Sequence, residues 1–267
     1  MLKNFLSDKR PDFALECVCA GRDKKWHYAG VFDKMEDPIN SVKIIWSNYH
    51  YELQAELVVF EKAFPVNIGF VDCRKQLAQF YDMGPVLTRR LLAPFYRMAL
   101  NFFLIENNGF LLHSAGVVCG DDAYIFSGPG GIGKSTIAAL SNEFKVLADD
   151  FVCIRKIEDS FYAYSTPWYG GKGQEGYEIK RLFFLFRDEK TQIIDLKPAQ
   201  TVNALMTNMY YNTIDEKILG KLMSVLCLFV ESVPGYWLSF SLKDDLWAQI
   251  RKFEKNDENT RCCLNVS

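Results

Sequence analysis

The 267-residue chain has little charge of one sign to spare: 31 Lys and Arg stand against 33 Asp and Glu, a formal net charge of -2. That balance argues against a broad nucleic-acid or anionic-membrane surface. Long apolar runs are missing too. The longest, Leu222 to Val230, falls far short of a bilayer. The opening MLKNFLSDKRPDF is broken by Asp8, Lys9 and Arg10 before an apolar signal region can form, so the expected location is the cytoplasm. Histidine is scarce, with three in all, and His27 and His50 have no second ligand nearby in sequence. The eight cysteines contain no C-x-x-C pair: Cys17-x-Cys19 and Cys262-Cys263 lack zinc-site spacing. With no secretory signal, reduced thiols are expected.

What is present is a globular composition, 49% hydrophobic, enough for a sizeable core. Residues 13–83 are rich in β-branched and aromatic residues, with strands expected at Phe13–Cys19, Trp26–Phe32, Val42–Trp46 and Tyr49–Phe60. Pro85 to Asn107 carries apolar residues at helical spacing, with Pro94 expected to kink or split the helix. The pattern changes from Asn108 onward, which divides the chain into a β-rich region ending in a helical segment (1–107) and a core (108–267). The core alternates strands and helices: strands at Phe110–Cys119, Ala123–Ser127 and Lys145–Ala148, a hairpin over Phe151–Ser165, and strands at Leu182–Phe186, Gln192–Leu196 and Tyr236–Leu242. Helices are expected from Lys134 and over Pro198–Tyr211, Ile218–Val230 and Leu246–Phe253. The expected fold class is α/β, with a mixed sheet core and a β-rich N-terminal region.

At the centre of the core stands IFSGPGGIGKST, residues 125–136. Gly128, Pro129, Gly130, Gly131, Ile132, Gly133, Lys134 and Ser135 fit the phosphate-binding P-loop pattern G-x-x-x-x-G-K-S, with Thr136 following. Glycines let successive backbone N–H groups turn inward around phosphate oxygens, and the helix start adds positive potential. Lys134 would reach the β- and γ-phosphates, and the Ser135 hydroxyl would ligate Mg²⁺. A rival reading exists. Gly128-x-Gly130-x-x-Gly133 also fits the dinucleotide fingerprint, with Asp149 about where a ribose-binding acid belongs. That fingerprint does not require Lys-Ser, and a ribose needs one carboxylate where this sequence offers Asp149 and Asp150.

If Ala123–Ser127 and Lys145–Ala148 are parallel strands joined through the loop and its helix, their carboxyl ends share one edge of the sheet, and the Asp pair arrives beside the phosphate cradle. Phosphoryl transfer uses one carboxylate for Mg²⁺ and one for the attacking hydroxyl. His113 lies near the start of a strand expected to pair antiparallel with the loop strand through the Gly120-Asp121-Asp122 turn, which brings it towards the same edge. It reads equally as a core histidine. Gly170 to Gly176 reads as a solvated loop or as a lid, with Lys172, Lys180 and Arg181 available to meet a transferring phosphate.

His113, the Gly128–Ser135 loop and Ala148-Asp149-Asp150, in that order, resemble the HPr serine kinase/phosphorylase family, which shares its nucleotide core with phosphoenolpyruvate carboxykinases. Thr166-Pro167-Trp168-Tyr169-Gly170-Gly171 is similar to a Thr-Pro-x-x-Gly segment of these relatives. The Glu-x-Arg-Gly segment of the HPr kinases proper is not found, so the resemblance is to the divergent kinase-like branch, some of whose members phosphorylate precursor peptides. It covers roughly residues 108–200. It implies an ATP- and Mg²⁺-dependent kinase acting on a Ser or Thr hydroxyl of a protein or peptide. It further implies that Lys134 binds phosphates, Ser135 and Asp149 hold Mg²⁺, Asp150 acts as base, and His113 sits near the transferred phosphate. A nucleotide-binding regulator without turnover is the alternative. The aromatic-rich N-terminal region leaves open a docked partner or a second copy of the chain.

Overall fold

The computed structural model describes the backbone of 14–19, 41–47, 50–59, 62–72, 77–82, 89–166, 175–209 and 216–264, with side chains over 97–166, 175–209 and 216–257. Within these residues the chain is a mixed α/β protein with five helices and a larger sheet whose pairings are mostly antiparallel. It divides into two compact units. One comprises Met1–Phe5, Leu112–Met209 and Leu226–Ser267; the other comprises Leu6–Leu111 and Tyr210–Val225.

In the second unit, strands β1 (Ala14–Cys19), β2 (Ser41–Ser47), β3 (His50–Val59), β4 (Lys62–Asp72) and β5 (Leu77–Asp82) form a five-stranded sheet in the order β1-β5-β4-β3-β2. β1 runs parallel to β5 and the other pairs are antiparallel. The strand expected at Trp26–Phe32 lies outside the described residues. Helix α1 (Arg89–Glu106) continues through Pro94 without splitting. A proline this early in a helix forfeits one backbone bond, while the remaining turns bury Met98, Ala99, Phe102 and Phe103. Asn101 fixes its exit by accepting a hydrogen bond from the Leu111 N–H at 3.1 Å.

The first unit is built on the larger sheet: β6 (Gly109–Cys119), β7 (Asp122–Ser127), β8 (Lys145–Ala148), β9 (Phe151–Ile157), β10 (Ser160–Tyr164), β11 (Gly176–Leu185), β12 (Gln192–Asp195) and β13 (Gly235–Ser239). Its order is β10-β9-β6-β7-β11-β13-β12, with β8 also pairing β6. Because β10 pairs the start of β11 as well, β9, β6, β7, β11 and β10 close a circuit of pairings. β7, β11 and β13 are mutually parallel, so their carboxyl ends meet at one rim.

Helices α2 (Lys134–Leu140) and α5 (Leu246–Leu264) cover one face of this sheet, and α3 (Pro198–Asn208) packs on the other. Side chains alternate across strands. Tyr124, Phe126, Phe183, Tyr236 and Leu238 therefore meet Ile137, Trp247 and Ile250 on the first face. Trp247 is the centre of that layer. It packs edge-on to Tyr124 and Phe126, and its indole N–H donates to Ser141 Oγ at 2.9 Å. On the other face Gly235 lets α3 approach closely: a Cβ there would lie 2.7 Å from Thr201. Helix α4 (Glu216–Ser232) sends Phe229 edge-on against Phe161 of β10. None of the helices among the described residues is long and apolar enough to cross a membrane.

Candidate functional site

The rim where β7 ends is where the chain changes character. Ser127 is the last residue of β7, and the backbone turns into a glycine-rich loop before entering α2 at Lys134. Gly133 has φ of 124° and Gly131 φ of 74°, values that favour glycine over any residue with a Cβ. They let the loop curl back, so Lys134 Nζ donates to the carbonyls of Gly128 at 2.7 Å and Pro129 at 2.9 Å. The lysine is buried. Burial lowers its pKa, opposed by the negative charge of Asp150.

The Asp pair reaches the same rim by a different route from simple adjacency. β7 and β8 both pair antiparallel with β6, so they are parallel to each other with β6 between them. His113 and Ser114, midway along β6 and not near its start as expected, are then bracketed on both sides. Ser127 Oγ donates to the His113 carbonyl at 2.9 Å, and the Ser114 N–H donates to the Asp150 carbonyl at 3.0 Å. The register Ser114↔Ser127 sets His113 level with the end of β7, and its Nε2 lies 3.5 Å from Asp150 Oδ1. The His113 ring leans on Phe151, centroids 5.2 Å apart.

These groups enclose one cavity of about 410 Å³, within the size range of small-molecule sites. Gly130, Gly131, Gly133, Lys134, Ser135 and Thr136 form one wall; His113, Asp149 and Asp150 form another. Gly128, Pro129 and Ile132 do not line it. Ile132 packs back towards the core instead. Asp149 Oδ1 is buried without a hydrogen-bond partner. Its pKa is raised, first by burial and then by the charge of Asp150. Burial thus acts against charge on both Asp149 and Lys134, as expected of a site built for an ionic ligand.

Mg²⁺ fits these residues. A hard cation takes oxygen ligands and is held by one or two carboxylates together with substrate phosphates. Asp149 offers an unspent buried carboxylate oxygen, and Ser135 an exposed hydroxyl on the facing wall. Among the described residues no group of three His, Cys, Asp or Glu side chains could hold an ion alone.

Two expected contributors are elsewhere. Lys180 Nζ pairs with Asp122 at 3.1 Å and lies 3.7 Å from Glu254, while Arg181 pairs with Asp257 at 3.1 Å. Asp122 begins β7, the end opposite the loop, so β11's early residues tie α5 down instead of meeting a phosphate. Lys172 and Pro167 to Gln174 lie outside the described residues. Thr166 is buried and donates to the Phe151 carbonyl at 2.7 Å, holding the residue after Asp150.

Sequence reasoning passed over Arg187 and Phe240. The Arg187 guanidinium donates to the Gly131 carbonyl at 3.2 Å, and the Phe240 ring backs Gly133. A signal for Arg187 existed: it directly follows the apolar run of a second parallel strand, and such positions share the ligand-binding rim.

No protein-family model matches this chain, and no curated protein matches it. Among solved structures it is similar to the Hpr(Ser) kinase/phosphatase from Coxiella burnetii, 16% identical over 59% of this chain and 95% of that chain, with a TM-score of 0.34.

Proposed function

We propose that this protein is an ATP- and Mg²⁺-dependent kinase that transfers the γ-phosphoryl group to a Ser or Thr hydroxyl of a protein or peptide. The observation that carries the reading is a single cavity walled on one side by a glycine-rich loop with a buried lysine and on the other by two aspartates and a histidine. A dinucleotide site would need one acid at the ribose and no buried lysine against the loop carbonyls.

On this reading the loop is a P-loop, whose inward N–H groups and Lys134 hold the β- and γ-phosphates. Ser135 and Asp149 would hold Mg²⁺, which would supply charge neutralisation to the phosphates. Asp150 takes the proton of the acceptor hydroxyl as its oxygen bonds to phosphorus. The bond from phosphorus to the β,γ-bridging oxygen breaks, and ADP leaves with that electron pair. His113, 3.5 Å from Asp150, orients that carboxylate.

The test is transfer of label from γ-labelled ATP to Ser- and Thr-containing peptides, alongside MgATP affinity by calorimetry. Lys134→Ala is expected to lose both. Asp150→Asn is expected to keep MgATP binding and to lose about 100-fold or more in transfer. Transfer by Asp150→Asn at the unsubstituted rate rules out the base. MgATP binding with no transfer to any hydroxyl favours a nucleotide-responsive regulator.

A further inference from the structure

A second cavity, about 330 Å³, opens beside the first two residues of the glycine-rich loop, Gly128 and Pro129. Its walls are Phe184 and Trp237 of two neighbouring parallel strands and Ala204 of α3, with Asn203 and Asn208 among them. No Asp, Glu, Lys, Arg or His lines it. Thr207 and Asn208 are committed to carbonyls one turn back in α3. The Trp237 indole N–H and the Asn203 carboxamide are spent on no other described residue. The pocket therefore offers aromatic surface and neutral hydrogen-bonding groups, and nothing to neutralise a charge.

Its place relative to a bound nucleotide follows from Lys134. The lysine of such a loop marks the β- and γ-phosphates. Here its ammonium lies against the carbonyls of Gly128 and Pro129, the two loop residues that wall the second cavity. Ser135 and Thr136, at the other end of the loop, do not touch this cavity. The pocket thus adjoins the phosphoryl that is transferred and not the base. The elements carrying the two cavities are also linked through the backbone: Met209, next after Asn208, forms an antiparallel bridge with Leu112, the neighbour of His113. On the kinase reading the acceptor hydroxyl itself stays with Asp150 in the first cavity, so the second cavity receives a neighbouring group of the substrate.

We infer that this cavity seats an uncharged aromatic or aliphatic side chain adjacent in sequence to the acceptor Ser or Thr, so that the substrate is a polypeptide segment with an apolar flank. The inference rests on the kinase reading above. An apolar ring gains by leaving water for the Phe184 and Trp237 faces, and the flanking peptide group meets the indole N–H and the Asn203 amide. A charged side chain would shed its hydration there without a counter-ion.

The experiment uses the full chain, MgATP and two peptide series, Gly-Gly-X-Ser-Gly-Gly and Gly-Gly-Ser-X-Gly-Gly, with X as Phe, Leu, Lys or Asp. In at least one series kcat/KM for Phe or Leu is expected to exceed that for Lys and Asp by about tenfold or more. Asn203→Lys changes an exposed helix position and is expected to raise the Asp-to-Lys ratio by about tenfold within that variant. MgATP affinity is measured on the same samples. Turnover with no preference at X, or an unchanged ratio in Asn203→Lys, overturns the pocket assignment alone. No MgATP binding by the unsubstituted protein overturns the kinase reading and this inference with it.

Discussion

Substituting Gly133 by Ala tests whether the loop's backbone shape is what captures phosphate. At φ of 124° an L-residue is strained, by about 1–3 kcal/mol. The added Cβ would also sit 3.2 and 3.3 Å from two ring atoms of Phe240, close enough that the ring must give by a few tenths of an ångström. Two responses are open to the protein. If the loop keeps its shape, the strain subtracts directly from a folding stability of about 5–15 kcal/mol, and the protein remains folded. If the loop relaxes, stability is preserved, but MgATP must restore the strained shape on binding and its affinity falls instead. The loss of stability and the loss of binding free energy should therefore sum to about 1–3 kcal/mol, with tenfold in Kd for each 1.4 kcal/mol. Urea unfolding read by tryptophan fluorescence measures the first and calorimetry the second. Adding Phe240→Ala should return only the steric share. Wild-type values for both quantities in Gly133→Ala would refute the claim that this conformation is required.

Asp149→Asn removes an ionised group that burial disfavours, so the metal-free protein is expected to gain stability at pH 7 and to lose Mg²⁺-dependent nucleotide affinity. The folded-state pKa of Asp149 is raised, so its ionisation penalty is present above that pKa and disappears as pH falls through it. The unfolding midpoints of the two proteins should therefore converge as pH approaches about 4, and a constant gap contradicts the assignment. Trp247→Phe loses the bond to Ser141 and leaves space between α5 and the sheet, costing about 1–3 kcal/mol in urea unfolding. Arg187→Ala, at an exposed position, should change stability by less than about 0.5 kcal/mol while speeding amide exchange around Gly131; unchanged exchange removes the clamp role.

Much of this geometry could be read from local pattern. The Lys-Ser after spaced glycines fixed where the loop ends and α2 begins. The tight turn at Gly120, with φ of 65°, implied an antiparallel β6–β7 pair and hence His113 level with the end of β7. Other features depend on partners distant in sequence. β11 begins at Gly176, six residues before the apolar run at Leu182, because polar residues of its first half are satisfied elsewhere: Glu178 accepts from Ser160, and Lys180 and Arg181 pair with Asp122 and Asp257. No local periodicity reveals such pairings. Nor does it show that β6 intervenes between β7 and β8, or that Pro129, Phe184, Asn203 and Trp237 surround one space.

The middle of β6 is held by a hydrogen bond to each flank, one from the Ser127 hydroxyl and one to the Asp150 backbone. His113, the glycine-rich loop after Ser127 and Asp150 thus hang from a shared ladder. Parting the backbones of His113 and Asp150 would mean breaking the Ser114–Asp150 hydrogen bond of the sheet. If the protein is the kinase proposed above, slowing access or departure would throttle turnover while the backbone alignment of His113 and Asp150 stays intact.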